Sequence, residues 1–298
     1  MLTVSFHSHK GGSGATTTLV NTIPFLVNKL QATKENPILI VDTDIDTSSL
    51  TYLLETDDNF HNAYDFKTLI EGVMPGKNNR DSINNHPFFN KCLKIGGLFD
   101  LNNDSVYFLG LDDIKEFDTD DITRSADTVI YELKRLCKQL NFKALIFDLS
   151  AGDDFLSNLL TRMSKVIVTP LRVTKQSMIG TKKFLDRLDN IMIDLDTDEQ
   201  FRRLIIVPNA TPQKDLTLDG ENQHTKSINL IKEELKGYKY EINCELVSDE
   251  IFGIGEIERF KWQEGILYNL KDDLDEDEML ALTRYEKLAD MIISEGDK

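Results

Sequence analysis

Six short apolar runs punctuate the chain: LTVSF at 2–6, PILIVD at 37–42, SVYFLG at 105–110, KALIFD at 143–148, KVIVTP at 165–170 and RLIIVP at 203–208. Continuous apolarity over so few residues is the pattern of strands covered on both faces of a parallel sheet. Between them lie longer stretches, at 16–30, 127–140 and 177–194, where apolar residues return every third or fourth position, as on one face of a helix. Strand, helix, strand repeated in this way predicts an α/β fold with a doubly wound, mainly parallel sheet flanked by helices. The region 248–294 reads as helical, and LTRYEKLADMII at 282–293 puts Leu282, Tyr285, Leu288, Ala289 and Ile292 on one core-packing face. Two polar segments break the pattern. One, about 59–103, contains the turn-rich PGKNNRDSINNHP at 75–87 and predicts an exposed loop or helical insertion; the other is 209–226. No internal repeat is visible, and residues 1–298 are expected to form one domain with that insertion.

Composition narrows the function. A chain of 298 residues with 40% hydrophobic content can build a sizeable core. Its formal net charge of −17 is opposite to the footprint of a protein that holds DNA, RNA or anionic lipid, so non-specific DNA binding is disfavoured. The best basic stretch, 172–187, carries Arg172, Lys175, Lys182, Lys183 and Arg187; it is read as an exposed helix face, with contact to DNA or a partner as the alternative. The acidic run KDDLDEDEM at 271–279 reads as a solvated face or helix start. Cys92, Cys137 and Cys244 are odd in number and widely spaced, which signals neither disulfides nor zinc. With no leader-like N-terminus and no run near the ~20 apolar residues of a spanning helix, the expected location is cytoplasmic.

In an open α/β sheet, ligands bind beyond the carboxyl ends of the strands, and four strand ends carry chemistry. After the first comes KGGSGATTT, where Gly11, Gly12 and Gly14 let the backbone curl and aim its N–H groups at phosphate. Thr16 opens the following helix with a hydroxyl placed to ligate Mg²⁺. After the second comes VDTDIDTSSL, with Asp42 and Asp44 at the chain exit; after 143–148 comes Asp148, a direct or indirect Mg²⁺ carboxylate. Asn209 follows 203–208 with an amide able to read a base edge. Singly, each has a plain structural reading as turn or helix cap; jointly, in this order, they point to a nucleotide site. Thr17 and Thr18 serve as helix-start hydrogen-bond formers or phosphate contacts, Asp46 as a turn cap or metal helper. His7 and His9 flank the loop without an assigned role, since phosphoryl transfer needs no histidine base.

In sequence, KGGSGATTT, VDTDIDTSSL, ALIFDLSAG, VIVTPLRVTKQSMIGTKKFL and IIVPNA resemble the successive motifs of the ParA/MinD family (the CobQ/CobB/MinD/ParA nucleotide-binding domain). These are P-loop ATPases with a deviant Walker A motif that dimerise over ATP. LVSDEIFGIGEIERFKWQEGILYNL at 246–270 is similar to that family's segment packing on the base. The resemblance implies the P-loop NTPase fold, ATP or ADP with Mg²⁺, and a nucleotide lying against Gly11, Gly12, Ser13, Gly14, Ala15, Thr16 and Thr17. It further implies Lys10 as the lysine reaching the partner's phosphates, Asp44 as the residue that positions attacking water, Thr16, Asp42 and Asp148 at the metal, and Asn209 at adenine. It implies a homodimeric switch that positions or partitions a cellular or plasmid cargo and answers to a regulatory partner protein. MinD-like relatives end in a basic amphipathic helix; SEGDK at 294–298 gives no such stable membrane anchor.

The family reads KGGxGK[ST], and here Ala15 replaces the second lysine. Losing a buried charge partner of this kind costs roughly 2–5 kcal/mol. Weakened ATP hydrolysis is one expectation. The alternative is a pseudo-ATPase scaffold or adaptor without turnover, similar to the CpaE/TadZ-like proteins that lack this lysine and localise pilus machinery at a cell pole.

Overall fold

A computed structural model of the protein describes residues 1–44, 47–54, 89, 92–110, 119–193, 203–211, 223–235, 253–261, 265–270 and 272–297. Its strands are β1 (Leu2–Phe6), β2 (Ile38–Asp42), β3 (Leu93–Lys94), β4 (Val106–Leu109), β5 (Ala144–Asp148), β6 (Val166–Arg172) and β7 (Arg203–Asn209). Among the described residues they form one sheet in the order β3-β4-β2-β5-β1-β6-β7. Every pairing is parallel except that of the two-residue β3 with β4. The helices are α1 (Ala15–Lys29), α2 (Ser49–Leu54), α3 (Thr119–Gln139), α4 (Phe155–Met163), α5 (Lys175–Ile193), α6 (Gln223–Leu235) and α7 (Glu276–Asp297). This is the doubly wound, mainly parallel sheet that the apolar runs predict.

The alternation of side chains across each strand divides the core into two layers. Val4, Phe6, Ile38, Ile40, Ile146 and Val168 point to the face covered by α1 and α7. Leu39, Val41, Leu145 and Phe147 point the other way, onto α3 and α4, and Ile167, Leu171, Leu204 and Ile206 onto α5 and α6. Because both faces are covered, the strands are apolar throughout. In α7, Ala281, Tyr285, Leu288, Ala289 and Ile292 are buried as the heptad-like spacing requires, while Leu282 is only half-buried.

Some expectations are corrected. The polar segment 59–103 is not an exposed insertion at its end: β3 and the 3-10 turn Gly96–Phe99 close the sheet edge, and Phe89, Cys92, Ile95 and Phe99 are buried. Residues 59–88, 90 and 91 of that segment lie outside the described residues. Helix α3 begins at Thr119, well ahead of position 127, and α6 starts within the 209–226 segment. The region 248–294 is not helical throughout. Gly253 takes φ 147°, Thr211 and Gly255 form an isolated bridge, and 3-10 turns at Glu258–Lys261 and Leu267–Leu270 precede α7. Cys92 and Cys137 are buried and in no disulfide; Cys244 lies outside the described residues.

Strand β1 sits between β5 and β6, where the winding of the chain reverses. The ends of these strands therefore splay apart and leave a crevice at the carboxyl edge.

Candidate nucleotide site

The backbone turns from β1 into α1 within residues 7–14, a tight passage that uses left-handed conformations at Gly12 (φ 77°) and Gly14 (φ 85°). The loop is held from inside. Ser13 Oγ and Ser8 Oγ donate to the carbonyl of Lys10 at 2.9 and 3.2 Å, and Asn209 Nδ2 donates to the carbonyl of Ser13 at 2.8 Å. No side chain caps α1 at Gly14, and its first turn has no acidic residue. Helix-start N–H groups without a side-chain acceptor, with the dipole behind them, favour an anion at this point.

The fit at Gly14 is testable. A Cβ there would stand 2.3 Å from Asn209 Nδ2, on a backbone that side chains rarely adopt. Gly14→Ala is expected to destabilise the fold by about 1–3 kcal/mol. Gly11→Ala, whose Cβ meets nothing within 4 Å, is expected to change stability by under about 0.5 kcal/mol. Urea denaturation of both variants checks the contrast.

Strand pairing puts Asp42 opposite Asp148 at the ends of β2 and β5, and both are fully buried. Thr16 Oγ1 donates to Asp148 Oδ2 at 2.8 Å, while Asp148 Oδ1 is buried without a partner. Asp42 Oδ2 accepts from the backbone N and Oγ1 of Thr51 at 2.9 and 2.7 Å, and its Oδ1 accepts from the backbone N of Asp44 at 3.1 Å. Burial raises the Asp148 carboxyl well above the usual range, and the neighbouring Asp42 charge adds to the effect. Burial raises Asp42 as well, against the lowering effect of its Thr51 and Asp44 hydrogen bonds. Two desolvated carboxylates side by side, one with an orphaned oxygen, form a place that a cation would relieve. The oxygen donors suit Mg²⁺, which takes one or two carboxylates and completes its shell with water and phosphate. Consistent with so few protein donors, no group of three or more His, Cys, Asp or Glu side chains forms a dedicated cage among the described residues.

The other expected residues gather at the same edge with differing engagement. Ala15 is the buried first residue of α1, and Thr17 is half-buried beside it. Lys10 is exposed and donates from Nζ to Gln176 Oε1 in the first turn of α5. Asp44 turns away into a local cap, accepting from the backbone N and Oγ1 of Thr47 at 3.3 and 2.5 Å. Asn209 is spent on the loop itself through Ser13. Asp46 lies outside the described residues. The segment similar to a base-packing stretch is anchored on α1, where Asn21 donates to the carbonyl of Gly265 at 3.1 Å and accepts from the backbone N of Leu267 at 2.8 Å.

Several contributors went unread in the sequence. Thr51 holds Asp42, and Thr43 Oγ1 donates to the carbonyl of Asp148 at 2.6 Å. The threonines of TDIDTSSLT at 43–51 carried a signal, since hydroxyls beside a strand-end carboxylate commonly bond it. His7 and His9 are engaged too: the His7 ring packs at a tilt against Phe184 with ring centroids 4.7 Å apart, and His9 bonds Arg187. Burial lowers the His7 pKa to about 4, so it is neutral at physiological pH.

No protein-family model matches the sequence, and no curated protein is similar to it by sequence. Solved structures are similar over nearly the full length. An ATP complex of a Cyanothece McdA variant superposes with a TM-score of 0.61 at 18% identity, covering 99% of this chain and 96% of that one. MinD in the Aquifex aeolicus MinC:MinD cell division complex gives 0.60 at 15% identity, covering 97% and 95%. Cobyrinic acid a,c-diamide synthase from Mycobacterium smegmatis, with ADP and magnesium bound, gives 0.61 at 15%, covering 98% and 94%. The sheet and its flanking helices are shared with these structures, and the chain has the fold of the ParA and MinD type of protein.

Proposed function

We propose that the protein is a ParA/MinD-like nucleotide-binding switch that takes Mg²⁺ with ATP or ADP at the carboxyl edge of β1 and β5. The observation that carries the reading is the Thr16–Asp148 bond of 2.8 Å beneath an uncapped helix start, with the second Asp148 oxygen buried and unpartnered. The backbone of Gly11, Gly12, Ser13, Gly14, Ala15, Thr16 and Thr17 would cradle the phosphates, Thr16, Asp42 and Asp148 would serve the metal, and Asn209 would fix the loop beneath the base. A bound Mg²⁺ would neutralise charge developing on the phosphates. Lys10, exposed at the rim, would reach a second copy of the chain, and Asp44, released from Thr47, would orient water. In this reading the protein works as a cytoplasmic homodimer that positions or partitions a cargo and is released by a partner protein. No helix among the described residues is long and apolar enough to cross a membrane.

Ala15 favours a second reading, a scaffold that keeps the nucleotide-dependent dimer face without turnover. Titration calorimetry with Mg²⁺-ATP and Mg²⁺-ADP tests the shared premise, and micromolar affinity is expected. Light scattering with ATP then tests Lys10: Lys10→Ala is expected to lower dimerisation at least about tenfold with its melting temperature unchanged. Undiminished dimerisation would remove the role of Lys10, and steady phosphate release by the natural protein would remove the scaffold reading.

A further inference from the structure

One face of α5 runs along the residues that lead into the glycine loop. Gln176, Gly180, Lys183 and Arg187 recur at helical spacing and share that face. Lys10 bonds Gln176 at the helix start. One turn on, the His9 ring lies against Gly180, where an added Cβ would come 2.5 Å from His9 Cδ2. Farther along, the His7 ring packs at a tilt against Phe184 and Arg187 Nη2 bonds His9 Nδ1 at 3.1 Å. A guanidinium has donors only, so His9 Nδ1 must offer a lone pair, and His9 is neutral with its proton on Nε2.

Arg187 also forms an ion pair with Asp153, on the loop that follows Asp148 and leads into α4. Asp153 takes a second bond, from Asn158 Nδ2 at 3.1 Å. The two loops that Arg187 joins already touch, through Gly152 N and the carbonyl of Ser8 at 3.2 Å. A planar fork can serve both His9 and Asp153 at once; the point charge of a lysine cannot.

We infer that Arg187 is a positioning residue of the phosphate site: by gripping His9 and Asp153 together it sets the glycine-loop entry against the loop after β5, so that the loop backbone N–H groups and Asp148 face one ligand in fixed relation. The inference rests on the nucleotide-binding reading above. It accounts for why α5 sets both Gly180 and an arginine against His9, the residue before Lys10, and it gives His9 a task that the loop chemistry alone does not.

The test is Mg²⁺-ADP titration of the natural protein, Arg187→Gln, Asp153→Asn and the double variant, with melting temperatures recorded alongside. Each single change is expected to weaken binding on the order of tenfold, and the double variant no more than the worse single one, because all three break the same link. In histidine ¹⁵N spectra, Arg187→Gln should release His9 from its Nε2–H tautomer while Asp153→Asn leaves that tautomer in place, a difference that a general loosening of the fold would not make. Should Arg187→Gln fold poorly, Asp153→Asn reads the same link from a half-exposed surface position. Natural protein that binds ADP alongside single variants of equal affinity would overturn the inference and leave the nucleotide reading intact. Independent, additive losses would also overturn it. Natural protein that binds no nucleotide would remove the reading, and this inference with it.

Discussion

Replacing Asp148 by asparagine is expected to stabilise the ligand-free protein while abolishing the magnesium-dependent nucleotide binding proposed for it. The native carboxyl is fully buried, faces Asp42 on the adjacent strand, and has one oxygen with no partner. Asparagine keeps an acceptor for Thr16 Oγ1 and replaces the orphaned oxygen with an amide donor beside Asp42. The expected gain is about 1–2 kcal/mol, a few degrees in melting temperature for a chain of this size. Its pH dependence has a definite sign. The folded carboxyl titrates above its ordinary value of 3.8, so below pH 3.8 both folded and unfolded chains hold the proton and the penalty vanishes. As pH rises from there toward the folded value, the unfolded chain releases its proton while the native one resists, and the natural protein loses stability relative to the variant. Scanning calorimetry at pH 4 and pH 7.5, without and with Mg²⁺-ADP, measures both halves. A variant that melts lower than the natural protein at pH 7.5, or that retains magnesium-dependent binding, would show that this carboxylate is structural and not reserved for a cation. The opposite signs of the two effects matter: a residue that weakens the empty fold and is indispensable to the filled one is the mark of a site kept for function.

The sheet was legible because its strands are covered on both faces, which writes them as unbroken apolar runs; β1, β2, β4 and β5 fall within a residue of the runs that predict them. What escaped was short or polar. The two residues of β3 and the six of α2 are held by neighbours, not by a pattern of their own, and the first turns of α3, TDDITRSA, carry too little apolar periodicity to extend a helix back to Thr119. The glycine loop and the strand-end aspartates were legible because short-range spacing encodes them. The side chains that hold these groups were not. Arg187 lies 178 residues from His9, and Asn209 lies 196 residues from Ser13. Such pairs exist only once the sheet has brought β1, β6 and β7 together. Histidines that looked idle beside the loop are fastened to α5, and the arginine that looked like part of an exposed basic face is the fastening.

The second large effect concerns the charge that the loop lacks. Ala15 is the first residue of α1, directly after the left-handed Gly14, and the residue is 8% exposed, beside the turn that leads out of β1. Ala15→Lys would bring an ammonium group to the same strand edge as Asp42 and Asp148, where it meets negative charge whether or not nucleotide is bound. In the filled protein it would lie against phosphate, and the expected gain in Mg²⁺-ATP affinity is about 30-fold or more, the equivalent of 2–5 kcal/mol for a close, desolvated charge partner. In the empty protein the same group offsets the repulsion between the two carboxylates, so the melting temperature should rise as well. Calorimetric titration separates two accounts of the natural chain. If affinity rises by that factor and phosphate release appears, the groups around Thr16, Asp44 and Asp148 can support turnover, and one missing charge is what limits it. If affinity and turnover stay where they were while the melting temperature rises, the lysine is paired with the carboxylates instead of phosphate. The natural loop then draws its phosphate charge from Lys10 and the uncapped start of α1, and restoring the usual motif only closes the cation site. The two outcomes differ most in magnesium dependence: in the first, Mg²⁺ continues to strengthen ATP binding, and in the second the inserted ammonium replaces it.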